Sequence, residues 1–128
     1  VPAQSALIAA RLKQVVSKLV TKISLDVTDG LVRRTPVDVG WARANWIPSI
    51  GSPIEAPAGD REAVNTGPQQ AGMAQLTQYR LGDGAVFITN NVPYIVRLNA
   101  GSSTQAPAGF VEAEIDAALK KSEGDIFV

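Results

Sequence analysis

Thr35-Pro36-Val37-Asp38-Val39-Gly40-Trp41-Ala42-Arg43-Ala44-Asn45-Trp46 divides the chain into two kinds of sequence. Apolar residues recur every three or four positions before it; after it the chain is broken by Gly and Pro into short runs. Pro36 stops any helix that reaches it, because the residue before a proline is pushed out of the α region. Asp38, two residues before Gly40, fits a tight turn or a helix cap in which its carboxylate accepts backbone N–H bonds. Gly40 permits a positive φ or a close approach. Trp41 and Trp46 are the only tryptophans, in a chain with 5% aromatic residues, and they bring large apolar area to a core built mostly from Leu, Ile, Val and Ala. Arg43 is a candidate ion partner for Asp38.

Toward the N-terminus, Ile8, Leu12, Val15, Leu19, Ile23, Val27 and Leu31 lie on one stripe of a helix over residues 4–33, widened by Val16 and Val20. Lys13, Lys18 and Lys22 fall off the stripe. Gly30 is a weak point, costing about 1 kcal/mol relative to Ala. Such a helix is about 45 Å long at 1.5 Å per residue. That is more than a domain of this size needs for its own core, so part of it is expected to face a neighbour.

Toward the C-terminus, residues 45–50 suggest a short strand, with Pro48 suiting an edge. Residues 51–67 hold Gly51, Pro53, Pro57, Gly59 and Gly67 with no apolar period, and are expected to form a long central loop whose deletion leaves a folded domain but impairs assembly. Residues 68–79 fit a short helix with Pro68 in its first turn and Met73, Leu76 and Tyr79 on one face. Gly82-Asp83-Gly84 is a hairpin-type turn, followed by a strand at 85–90. Residues 94–98 fit strand or helix equally. Residues 99–109 are a second loop, 110–121 a helix, and Ser122–Val128 a frayed end or one docked through Ile126 and Phe127. The expected fold is α+β: one domain over residues 1–128, in which a long N-terminal and a C-terminal helix pack on a small antiparallel sheet.

The 128 residues contain neither Cys nor His. This removes disulfides, zinc sites built on thiolate or imidazole, and Ser–His–Asp or Cys–His catalysis. Glu112 and Asp116 stand at i, i+4, which is a metal pair or, more simply, a solvated face. Gly82-Asp83-Gly84 lacks the Lys-Ser/Thr of a phosphate loop. The sequence therefore leads to no catalytic residue, cofactor or metal. No apolar run approaches a membrane span, and no signal-peptide pattern opens the chain, so synthesis in the cytoplasm and no membrane partner are expected. Net charge is zero, unlike a dedicated nucleic-acid binder. Its distribution is uneven, however. Residues 1–34 carry Arg11, Lys13, Lys18, Lys22, Arg33 and Arg34 against Asp26 and Asp29, a net +4, while residues 111–128 carry Lys120 and Lys121 against Glu112, Glu114, Asp116, Glu123 and Asp125, a net −3. Either the two helices attract within one fold, or both are solvated, or the basic end of one subunit meets the acidic end of the next.

Thr35–Trp46, directly after a long amphipathic helix, resembles the R-T-P-V-D-T-G-x-x-R-x-x-W signature of a phage tail-component family. That family is named for the tenth gene product of a lambda-like phage and is called neck or tail-completion protein. Asn90-Asn91-Val92-Pro93-Tyr94 resembles its N-x-x-P-Y element. Leu98-Asn99-Ala100-Gly101-Ser102-Ser103, continuing through Gln105-Ala106-Pro107-Ala108-Gly109-Phe110, resembles its L-N-x-G-S-S-x-Q-A-P-x-G-F stretch. A helix follows in both. Val39 departs from the usual Thr, Asn99 from the more frequent Glu, and the 51–67 segment is long.

The resemblance implies a structural virion protein at the head–tail junction or proximal tail, made in the host cytoplasm. It would assemble as a homo-oligomeric ring with other connector and tail proteins, passing close to DNA in the channel. A tail-terminator or minor tail protein is the alternative within the class, and a DNA-channel-lining, nucleic-acid-contacting module the alternative outside it. Motif residues Thr35, Pro36, Val37, Asp38, Gly40, Trp41, Arg43, Trp46, Asn90, Asn91, Pro93 and Tyr94 are expected to shape the backbone. Lys13, Lys18 and Lys22 on the helix, and Asn99, Gly101, Ser102, Ser103, Gln105 and Pro107 in the second loop, are the candidate interface.

Overall fold

In the computed structural model, which describes residues 2–37 and 40–126, the apolar stripe folds as one unbroken helix, α1 (Pro2–Arg34). Its last turn closes with the Thr35 N–H donating to Leu31 O at 3.0 Å; Pro36 then carries the chain away. Arg33 and Arg34 sit in that turn, where positive charge complements the helix dipole. Then come α2 (Trp41–Ala44), β1 (Ile47–Ile50), α3 (Gly67–Thr77), β2 (Val86–Thr89), α4 (Ile95–Asn99) and α5 (Phe110–Ile126). The fold is α+β.

β1 and β2 pair antiparallel, Ile47 opposite Thr89 and Ile50 opposite Val86. The Gly51 N–H extends the ladder to Ala85 O at 2.8 Å. Among the described residues these two strands are the whole sheet, so Pro48 takes its edge position at no cost to a third strand. The 94–98 stretch, ambiguous by pattern, is helical from Ile95, with Tyr94 as the N-cap: the Ile95 N–H donates to Val92 O at 3.1 Å and the Leu98 N–H to Tyr94 O at 3.1 Å. The Gly82-Asp83-Gly84 turn is not a hairpin. The Arg80 N–H donates to Asp83 Oδ2 at 2.9 Å and the Asp83 N–H to Arg80 O at 3.0 Å, closing a link from α3 to β2. The partner of β2 is β1, from much earlier in the chain.

The layers follow from which faces are apolar. α3 covers β1, with Leu76 fully buried and Gly72 set against the Pro48 carbonyl. α5 lies along the C-terminal half of α1. Arg34 Nε meets Glu114 Oε1 at 3.0 Å, while Val27 shares the core with Ala118, so the two helices run antiparallel. Gly30 is buried under Glu114, whose carboxylate occupies the space a Cβ would take, so the weak point in the helix lies against α5. Val27, Leu31, Trp46 and Ala118 form the core cluster, with Ile23, Val32, Ile88, Ile95 and Val111 packed around it.

Only half of the α1 stripe reaches this core. Val27 and Leu31 are buried, Leu19, Val20 and Ile23 half-buried, but Leu7 is 70% exposed and Ile8 63%. Leu12, Val15 and Val16 are exposed as well. The helix runs past the body that its C-terminal half helps to build. α5 continues to Ile126 rather than ending near 121; Phe127 and Val128, expected to dock or fray, lie outside the described residues.

Candidate functional site

The two distinctive segments come together in space. Thr35 is the hinge. Its hydroxyl donates to Leu31 O at 2.5 Å and accepts the Trp46 indole N–H at 2.6 Å, all of it buried. Arg43 secures the same corner from outside. Its guanidinium donates to the carbonyls of Thr35 and Arg33 at 3.2–3.3 Å, satisfying acceptors that the end of α1 leaves open. The expected Arg43–Asp38 pair lies outside the described residues on the Asp38 side, and the guanidinium is engaged at the helix end. Gly40 adopts φ 79°, the left-handed conformation that only glycine takes easily, directly before α2.

Residues 51–66, which contain neither helix nor strand, are tied to this region. Asn45, fully buried, donates from Nδ2 to Ala58 O at 3.0 Å and Trp41 O at 2.8 Å, and accepts the Ala58 N–H at 2.7 Å. Trp41 Nε1 also donates to Ala58 O, at 3.1 Å. Asn91 Nδ2 donates to Ile54 O at 2.8 Å. These bonds weigh against treating the segment as dispensable for folding, since its removal would take both Ala58 partners from a buried amide. Asn45→Ala is expected to cost about 1–2 kcal/mol through those unmet partners, read as a lower denaturant midpoint at unchanged slope. A midpoint unmoved by the change would show that Ala58 is held by something else.

The second segment turns beside the first. Asn90 Nδ2 donates to Ala42 O at 2.9 Å and its Oδ1 accepts the Val92 N–H at 3.1 Å. The Tyr94 ring meets Trp41 edge-on at a centroid distance of 6.0 Å. Val92 is buried, whereas Pro93 is exposed. Gln105 Oε1 accepts the Val37 N–H at 2.9 Å, tying the second loop to the exit of α1.

Asn99 is occupied as well. Its Oδ1 accepts the Val111 N–H at 3.0 Å, its carbonyl accepts the Gly109 N–H at 2.7 Å, and its Nδ2 donates to both carboxylate oxygens of Glu112 at 3.0 Å. It thus caps the start of α5 from outside the helix. The Asn99 bond first, and a backbone bond at Glu112 second, hold the Glu112 carboxyl below its ordinary value of 4.5. A lowered folded-state value means that this contact is at full strength above the ordinary carboxylate range. It is lost as pH falls through the folded value. A carbon-13 NMR titration of Glu112 is expected to show a midpoint below 4.5, with Asn99→Ala returning it toward 4.5. An unshifted wild-type midpoint would rule out the Asn99–Glu112 bond.

Between the two loops lies an open hollow of about 460 Å³ lined by Arg61, Tyr94, Arg97, Ser102, Ser103 and Gln105, among others. Arg61 reaches from the 51–66 segment over the Tyr94 ring, 5.9 Å from its centroid. Ser103 Oγ accepts the Gln105 N–H at 3.1 Å. Of the loop residues singled out by sequence, Ser102, Ser103 and Gln105 line this hollow; Gly101 and Pro107 are exposed on the same loop. Arg61 and Arg97 carried no signal in the sequence, because what recruits them is the approach of two loops far apart in the chain. Two guanidinium groups among hydroxyls and an amide suit contact with an acidic group of another molecule.

Lys13 and Lys18 do not line this hollow. They border a groove between α1 and the turn after α3, where the Leu81 N–H donates to Ser17 Oγ at 2.7 Å. Lys22 is half-buried farther along α1. The interface residues inferred from sequence therefore fall on two separate surfaces, one on the loops and one on the projecting helix. Among the described residues no group of three or more His, Cys, Asp or Glu side chains is placed to hold a metal ion, and no helix is long and apolar enough to cross a membrane. Compared with family models, curated proteins and solved structures, the chain matches none of them.

Proposed function

We propose that this chain is a structural subunit of a tailed-phage particle, at the neck or on the proximal tail, where copies form a ring that joins or completes the tail. The observation that carries the reading is the ordered pair of motif segments, Thr35–Trp46 and Asn90–Phe110, which resembles the neck and tail-completion signature and follows a long helix. The physical character of the surfaces supports it. The chain presents apolar helix surface and a cationic, hydroxyl-lined hollow, both suited to binding other proteins, and the mechanism proposed is binding alone. Contacts between unlike faces of identical subunits close into rings when the rotation allows.

The test is genetic and visual. In a phage that carries this chain, disrupting its gene is expected to leave DNA-filled heads and separate tails, and a plasmid copy is expected to restore joined particles. Normally joined, infectious particles that lack the protein would overturn the reading.

A further inference from the structure

The exposed half of α1 carries the strongest unassigned feature of the molecule. Leu7, Ile8, Leu12, Val15 and Val16 stand 37–70% exposed. All but Leu7 belong to the stripe whose later members, Val27 and Leu31, the chain covers with its own α5 and Trp46. Residues 3–25 contain no acidic side chain, and Arg11, Lys13 and Lys18 are exposed along them. The row from Leu7 to Val16 is about 14 Å long at 1.5 Å per residue. Single exposed apolar residues are ordinary; a continuous row on a helix that leaves the body calls for a cover.

The complementary surface is on the same chain. α5 buries Ala118 and Ser122 toward α1, but exposes Ile115 and Leu119. At helical spacing Glu112, Asp116 and Glu123 flank that pair and are exposed. Apolar-with-basic on one helix thus answers apolar-with-acidic on the other. The chain already makes one contact of this type internally, where α1 and α5 pack antiparallel and Arg34 pairs with Glu114.

We infer that the projecting half of α1 from one copy docks on the exposed face of α5 of the next copy, a head-to-tail contact between unlike faces. The inference rests on the assembly reading above and names the surfaces that carry it. Isoleucine, leucine and valine side chains supply the burial. Arg11 and Lys18 opposite Asp116 and Glu123 select the partner face and its direction, since like charges in register would repel. Each copy offers one donor helix and one acceptor helix, so the contact propagates until a ring closes.

The chain has no cysteine, which makes disulfide mapping clean. One set of full-length variants carries Leu12→Cys or Val15→Cys, the other Ile115→Cys or Leu119→Cys. Mixed across the sets and oxidised, at least one pair is expected to give disulfide-linked dimers at ten-fold or greater yield over either variant alone. Arg11→Glu with Lys18→Glu in one copy, and Asp116→Lys with Glu123→Lys in another, are each expected to remain monomeric. Mixed in equal amounts they should assemble again in alternation, because the reversed charges of one variant answer those of the other at every second contact; a mixture that stays monomeric would overturn the charge pairing. Self-linking of the α1 variants alone, or no linkage across the sets at any pairing, would overturn the contact. Mass spectrometry of purified particles separates the two levels. A protein present in particles without the cross-link sinks this contact and leaves the virion reading standing. A cross-link with no protein in particles sinks the virion reading and leaves the contact.

Discussion

Trp46→Ala is expected to lower stability by about 3–5 kcal/mol, the range for truncating a buried aromatic. In thermal unfolding this is a fall of roughly 10–20 °C for a chain of this length. Two contributions add. Trp46 is 6% exposed and packs in the cluster with Val27, Leu31 and Ala118, so its removal opens a cavity between α1, α5 and the sheet. Its indole N–H also satisfies the Thr35 hydroxyl, which in turn bonds Leu31 O. Trp46→Phe separates the two, because it keeps most of the apolar area and loses only the N–H; it is expected to cost about 1–2 kcal/mol. A cost below 1 kcal/mol for the Ala variant would mean that Trp46 does not hold the core together. An equal cost for both variants would assign the effect to the hydrogen bond alone.

The second large effect comes from adding one carbon. A Cβ on Gly72 would overlap Pro48 O and lie 3.1 Å from Pro48 C. Both atoms belong to the backbone of β1, so no flexible side chain can swing aside. Gly72→Ala is therefore expected to destabilise by about 2–3 kcal/mol, although Ala favours a helix by about 1 kcal/mol over Gly. The damage should be local to the α3–β1 layer. Hydrogen exchange is expected to quicken at the β1–β2 amides more than at those of the α1–α5 pair. Gly124 is the control: it lies in α5 with nothing within 4 Å of the place a Cβ would take. Gly124→Ala is expected to stabilise by about 0.5–1 kcal/mol. Similar, small effects at both positions would show that α3 and β1 are not in close contact.

Both substitutions act on the body and leave the projecting half of α1 unchanged. A loss of assembly caused by Trp46→Ala or Gly72→Ala should therefore follow the loss of folded protein. Changes at Leu12, Val15, Ile115 or Leu119 should weaken assembly while the melting temperature of the monomer stays within a few degrees. This separation makes the helix surface testable apart from the fold.

The features legible in the residues themselves are the local ones. Apolar spacing placed α1 and α5, Pro36 placed the end of α1, and runs such as Val86-Phe87-Ile88-Thr89 placed β2, because periodicity, proline geometry and β-branching act within a few residues. The same locality explains the undecided 94–98 stretch, which is short enough to suit either state until Pro93 and Val92 turn it into α4. The choice of partners came only with the folded chain. Asn45 with Ala58, Gln105 with Val37, and Arg61 with Tyr94 join segments 13, 68 and 33 positions apart. Amide and guanidinium groups carry no signature of the distant carbonyl or ring they will meet. Asn99 shows this most plainly: a polar loop residue in sequence, it caps α5 in the fold. The α1 stripe shows the other side of the same division. Its sequence pattern is uniform from Ile8 to Leu31, and only the length and position of α5 decide that the first half is left open.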